Sequence, residues 1–182
     1  MAGIINPANI FTSTRLIVLP LVVYAAYKNY HLMAVTIIAY SGVVDLLDGF
    51  VARKFNCTSR FGEMLDAISD ASLFLVGLLA AVAFKYSDPV PAFLLLGLGA
   101  FNAAGRVIFI KKTGVITNFR SYASEVLGGF TFWVLVAQYL DWYANAGLWL
   151  LSFFTFIVII HDYYRILTYP VDLLKMEEGK NE

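Results

Sequence analysis

The sequence predicts an all-α membrane protein: six transmembrane helices with an N-terminal interfacial segment. Three observations lead there. Of 182 residues, 60% are hydrophobic and only 14% are charged, with a mean hydropathy of +0.73, whereas a soluble domain carries about 25% charged residues. The apolar residues gather into six stretches near the length of about 20 residues that a helix needs to cross a hydrocarbon core about 30 Å thick. Eleven of the thirteen Lys and Arg residues fall at one set of span ends, the asymmetry of loops held in the cytosol. Such a composition fits neither a soluble globular enzyme nor a disordered tail. Thirteen acids balance thirteen bases, so no net charge draws the chain to nucleic acid, and none is expected as a partner.

The elements follow in order. Residues 1–13 are mixed in character and read as an interfacial segment. The spans run Thr14–Lys28, His31–Arg53, Phe61–Lys85, Pro91–Lys112, Tyr122–Tyr143 and Gly147–Leu167, forming a six-helix bundle over 14–167, and residues 168–182 are a charged cytosolic tail. The apolar run after Arg15 has no small-residue cleavage pattern and leads into further spans, so no cleavable signal peptide is expected. A single domain, 1–182, is expected, because Cys57 has no partner for an internal disulfide and the prolines and glycines are scattered. With the N-terminus inside, Lys28 and Lys85 are the only basic residues outside, so both termini are placed in the cytosol. Tyr86, Tyr139, Trp142, Tyr143, Trp149, Tyr163 and Tyr164 near span ends read as an interfacial aromatic belt.

Spans two and three hold an anomaly. Asp45, Asp48, Asp66 and Asp70 lie in helical segments, where a charged side chain costs at least about 2.5–3.5 kcal/mol at the bilayer centre. Asp45 and Asp48 are three apart and Asp66 and Asp70 four apart, so each pair shares a helical face. The short basic loop 54–60 predicts that the two spans are antiparallel neighbours, and the index sums of 45 with 70 and 48 with 66 are nearly equal. All four acids therefore reach a matching depth, one to two and a half turns below the cytosolic surface. Four like charges so close repel unless cations neutralise them. An all-oxygen donor set suits Mg²⁺, Mn²⁺ or Ca²⁺ rather than zinc, and two such ions beside a phosphate form a two-metal arrangement. The alternative is ion pairing with Arg53, Arg60 or Arg106, and Gly42, Gly49 and Gly62 admit a simple packing role.

Asp45-Leu-Leu-Asp48-Gly49-Phe-Val-Ala52-Arg53, followed by Gly62, Asp66 and Asp70, is eight fixed residues in 26 positions. This string resembles the signature of the CDP-alcohol phosphotransferase family, whose six-helix length covers essentially the whole chain. The resemblance implies a transferase of phospholipid biosynthesis. It would move a phosphatidyl-type group from a CDP-linked lipid, such as CDP-diacylglycerol, to a polar hydroxyl acceptor such as glycerol 3-phosphate, releasing CMP. It implies that Asp45, Asp48 and Asp66 hold divalent metals, Mg²⁺ or Mn²⁺, and that Asp70 completes the metal set and is the general base. Gly49, Ala52 and Gly62 would make room for the nucleotide beside Arg53. Asn9, Thr12 and Arg15 are similar to the opening of phosphatidylglycerophosphate synthase-like members and would line the nucleotide end, with helix capping by Thr12 or Ser13 as the alternative. The resemblance also implies a homodimer, with membrane lipids around it and the active site on the cytosolic side.

Acceptor choice is expected to rest on Arg106, Lys111, Lys112 and Arg120, because a phosphorylated acceptor needs cationic donors. The stretch 114–125 matches no single acceptor signature, so inositol phosphate and serine stay open as acceptors. A competing function of another class is an intramembrane cation transporter, since acids inside a membrane also mark ion pathways. Against it, the four acids lie toward one face, and Glu125 alone adds to them in later spans. His161 and Asp162 are expected to make an intrahelical or interhelical hydrogen bond, with facing the cavity as the alternative, and Cys57 and His31 are read as bystander and interfacial residues.

Overall fold

The computed structural model describes residues 7–54, 60–113, 122–140 and 144–168. Among them the only regular elements are six α-helices: α1 (Pro7–Tyr27), α2 (His31–Lys54), α3 (Arg60–Ala83), α4 (Pro89–Thr113), α5 (Tyr122–Leu140) and α6 (Ala144–Thr168). Four contain stretches long and apolar enough to cross a membrane, Ile10–Tyr27, His31–Asp48, Met64–Ala83 and Asn145–Tyr164, while α4 and α5 carry the shorter apolar stretches Pro89–Gly105 and Val126–Leu140. Ile17, Leu32, Leu46 and Trp133 are among many large apolar side chains left on the outside. In water such a surface would drive aggregation; in a bilayer it is the lipid-facing coat.

The first helix begins earlier than the expected span, taking in residues 7–13. Pro7 stands at its first position, where the fixed φ is pre-set for a helix and the missing N–H costs nothing. Thr12 and Ser13 therefore lie inside α1 and do not cap it. Asn29, with φ 56°, ends α1, and the amides of Asn29 and Tyr30 fold back to the carbonyls of Ala26 and Ala25 at 3.1 and 2.9 Å. Lys85, with φ 65°, ends α3 in the same way, with Lys85 and Tyr86 amides on Val82 and Ala81 at 3.2 and 2.8 Å. Both turns satisfy the orphan carbonyls of a helix end through one left-handed residue.

These two turns are tied together at one end of the bundle. The Tyr86 hydroxyl reaches the Ala26 carbonyl at 3.2 Å and Asn29 Oδ1 at 3.1 Å, and its ring meets His31 edge-on at 5.1 Å. Tyr139 corrects the aromatic-belt expectation: it is fully buried and donates its hydroxyl to the Gly77 carbonyl at 2.7 Å. A buried phenol needs such an acceptor, and a carbonyl in the facing α3 supplies it. Trp149 and Tyr164 are exposed, as a belt requires.

Small residues set the close approach of the helices. Ala25, Ala26, Ala34, Ala80 and Ala81 form much of one buried cluster, the pattern expected where helices associate without a hydrophobic drive between them. Gly42 on α2 faces the Phe132 ring of α5, and an added Cβ would stand 2.7 Å from that ring. Gly105 likewise leaves room for the Tyr163 hydroxyl, while Tyr163 stacks on Phe101 at 5.6 Å.

The packing order corrects the expectation that α2 and α3 are direct neighbours. Helix α1 packs extensively against both, α5 also touches both, and α2 and α3 have little contact with each other. The carboxylates they carry would repel across a direct interface. A third helix bearing a cation removes the conflict.

Candidate active site

That cation is Arg15. Its side chain, 2% exposed, projects from α1 toward both acid-bearing helices. Nη1 donates to Asp45 Oδ1 and to Asp66 Oδ1 at 2.9 Å each, and Nη2 donates to Asp70. One turn earlier on the same face of α1, Thr12 Oγ1 donates to Asp48 Oδ2 at 2.6 Å. Thr12 meets Asp48 and Arg15 meets Asp45, as the antiparallel register of α1 and α2 requires. A residue pair three apart on one helix thus grips a pair three apart on the other.

The four acids differ in exposure. Asp48 is buried at 6%, whereas the Asp45, Asp66 and Asp70 side chains are 37%, 39% and 47% exposed. Asp45, Asp48 and Asp66 each offer a carboxylate oxygen, all within 4.8 Å of one another. Three hard oxygen donors at that spacing fit a divalent cation. One guanidinium among four carboxylates leaves an excess of negative charge, which fits the same conclusion. Removing Arg15 would leave three half-exposed carboxylates facing one another without their shared cation.

A cavity of about 680 Å³ opens beside the cluster, with Arg15, Asp45 and Asp70 at its polar end. Its other walls are apolar and come from α2, α3 and α5, including Gly42, Leu73, Phe132 and Trp133. Gly128 and Gly129 of α5 line it too, and a Cβ added to either would meet nothing within 4 Å. The volume is that of a pocket for a sizeable small molecule, and its two-sided chemistry suits a ligand with a charged head and an apolar body.

The structure brings Asp45, Asp66 and Asp70 together on Arg15 and sets Thr12 on Asp48. The side-chain surroundings of Asn9, Gly49, Ala52, Arg53, Arg106, Lys111, Lys112 and Arg120 lie outside the described residues, as do those of Arg60 and Glu125. Gly62 opens α3 one turn before Asp66. Asp162 is buried, and its Oδ1 lies 3.5 Å from Nδ1 of the neighbouring His161. Sequence reasoning missed the three-way contact of Arg15 and the contribution of α5. The Gly128-Gly129 pair inside an apolar span was the available signal, since adjacent glycines there leave a gap.

Among the described residues the chain is all helical, with membrane-length apolar helices and a carboxylate cluster beside a largely apolar cavity, the build of an integral membrane protein. Comparison with known proteins narrows the class. The chain belongs to the CDP-alcohol phosphatidyltransferase family, matching it over residues 5–162. It is 29% identical over 176 residues to a CDP-diacylglycerol–glycerol-3-phosphate 3-phosphatidyltransferase of Rickettsia bellii, covering 88% of this chain and 94% of that protein. A protein of the same description from Aquifex aeolicus is 32% identical over 109 residues, covering 59% of this chain and 61% of its own length. A Schizosaccharomyces pombe cardiolipin synthase (CMP-forming) / mitochondrial hydrolase fusion protein is 34% identical over 90 residues, 49% of this chain and 15% of that protein. The chain is a CDP-alcohol phosphatidyltransferase, a transferase of phospholipid biosynthesis.

Proposed function

We propose that the chain moves a phosphatidyl group from CDP-diacylglycerol to a hydroxyl of glycerol 3-phosphate, releasing CMP. The carboxylate cluster at the polar end of the apolar cavity carries this reading, and the descriptions of the relatives from Rickettsia and Aquifex support the acceptor. The acceptor oxygen bonds to the phosphorus that carries diacylglycerol, the bond from that phosphorus to the CMP oxygen breaks, and the acceptor proton passes to Asp70. Asp45, Asp48 and Asp66 hold one or two divalent ions, Mg²⁺ or Mn²⁺, with Asp70 as a further ligand. When bound, such ions offset the charge of the diphosphate and of the departing CMP. Asn9, Thr12, Gly49, Ala52, Arg53 and Gly62 accommodate the nucleotide, and Arg106, Lys111, Lys112 and Arg120 bind the acceptor phosphate.

In this reading all six helices cross the membrane within one domain, 1–182. The termini and the active site face the cytosol, where CMP and a polar acceptor dissolve, while the tails of donor and product stay in lipid. The working unit is a homodimer.

Purified protein incubated with CDP-diacylglycerol and, separately, glycerol 3-phosphate, inositol phosphate, serine or phosphatidylglycerol is expected to release CMP with glycerol 3-phosphate. CMP release with another acceptor and none with glycerol 3-phosphate would reject the acceptor assignment. Thr12 tests the ion site. Because its hydroxyl orients the Asp48 carboxylate at 2.6 Å, Thr12→Val is expected to weaken Mn²⁺ binding by about 10–100-fold, the usual effect of losing such an orienting contact. Titration calorimetry on the detergent-solubilised protein measures it.

A further inference from the structure

We infer that Arg15 is an internal counter-ion standing where a divalent ion would bridge Asp45 and Asp66, so that ion binding must displace the guanidinium from both carboxylates. The inference rests on the reading that the cluster takes up divalent ions. One nitrogen, Nη1, lies 2.9 Å from Asp45 Oδ1 and 2.9 Å from Asp66 Oδ1. These are two of the three residues whose oxygens form the candidate ion site. A divalent cation drawn to the same two carboxylates would meet that nitrogen's positive charge at close range, so the ion and the guanidinium compete for them.

Two further observations give the guanidinium somewhere to go. Nη2 is held by Asp70, which lies outside the group of three, so Arg15 can leave Asp45 and Asp66 to a first ion while keeping Asp70, and gives up Asp70 only when a second ion takes it. Its Nε is buried and has no hydrogen-bond partner in the present arrangement. A buried donor without an acceptor disfavours the state that contains it. Arg15 already lines the polar end of the cavity, and a guanidinium turned further into it would present several donors to a phosphate, the anion it grips best. Arg15 therefore holds the acids of α2 and α3 together before ions arrive, and its release couples ion entry to capture of the diphosphate. It is a positioning residue in the first state and a substrate contact in the second.

The test compares wild type, Arg15→Gln and Arg15→Lys by Mn²⁺ titration and by melting with and without chelator. Arginine side-chain nitrogen resonances of the labelled wild type are followed during addition of Mg²⁺, with the Arg15 signal assigned by its loss in Arg15→Lys. Arg15→Gln is expected to bind Mn²⁺ more tightly, by about tenfold or more, because a cation a few ångströms away no longer opposes the ion. The same variant should melt at a lower temperature in chelator, with the gap to wild type narrowing once Mn²⁺ is added. The wild-type Arg15 signal is expected to move as Mg²⁺ saturates. Unchanged or weaker Mn²⁺ binding in Arg15→Gln together with a stationary Arg15 signal would overturn the inference while leaving the ion site standing. Absence of Mn²⁺ binding to wild type would remove both. Should Arg15→Gln fail to fold, the wild-type titration decides alone.

Discussion

Asp70→Asn is expected to lower CMP release by about 10²–10⁴-fold, the range a positioned general base contributes, while CDP-diacylglycerol still binds within a few fold of wild type. Asn has nearly the volume of Asp and keeps an oxygen for the Arg15 guanidinium, but it has no basicity with which to take the acceptor proton. The geometry makes the separation of binding from turnover possible. Asp70 is the most exposed of the four acids, stands at the polar end of the cavity, and lies outside the group of three oxygens that fit a cation. Bundle stability should change little, because Arg15 retains Asp45 and Asp66. Turnover equal to wild type would remove Asp70 from the role of base. A parallel loss of turnover and of donor binding would instead make it chiefly a ligand of the second ion.

The acids were legible in the sequence because helical spacing is a local rule: offsets of three and four put side chains on one face whatever surrounds them. The end of α1 was legible for a related reason, since Asn29 is one of the few residues that accept a left-handed turn readily. The sequence puts the end of α3 at Lys85, and the helix ends within a turn of it, although Lys85 adopts the same conformation against its own preference, beside the tie between Tyr86 and the first turn. Arg15 was harder still. At the start of a short apolar run it reads as a residue of the nucleotide end or, alternatively, as an interfacial anchor. Its position between α2 and α3 follows from α1 packing against both, a tertiary arrangement that no spacing rule encodes. Tyr139 repeats the lesson, because an aromatic near a span end and an aromatic donating inward to a helix carbonyl look alike until the facing helix is known.

The placement of Arg15 also bears on why the site tolerates its charge. A lone carboxylate at this depth would protonate or drag in water. Here α1 contributes both a cation for three of the acids and a hydroxyl for the fourth, so one helix face keeps the cluster together. The compensation is incomplete, with four acids against one guanidinium. That residue of negative charge is what an anionic donor would meet on arrival.

Exhaustive removal of divalent ions is therefore expected to abolish CMP release, and Mg²⁺ or Mn²⁺ is expected to restore it. The donor carries a diphosphate toward a cluster whose net charge is already negative, so without added cations repulsion opposes its entry as well as its reaction. Charge stabilisation by bound ions is worth several kcal/mol in such transfers, and each 1.36 kcal/mol is a factor of ten in rate. The expected loss on chelation is thus of the order of 10³-fold or more. Zn²⁺ sharpens the test, because it prefers nitrogen and sulfur donors absent from the cluster. Restoration should therefore be strong with Mg²⁺ and Mn²⁺ and poor with Zn²⁺. The measurement is CMP release from CDP-diacylglycerol and glycerol 3-phosphate by protein stripped with chelator and dialysed, then titrated with each ion. Full turnover by stripped protein would mean that Arg15 and its neighbours suffice to neutralise the reacting phosphates, and the ion site would have to be given up.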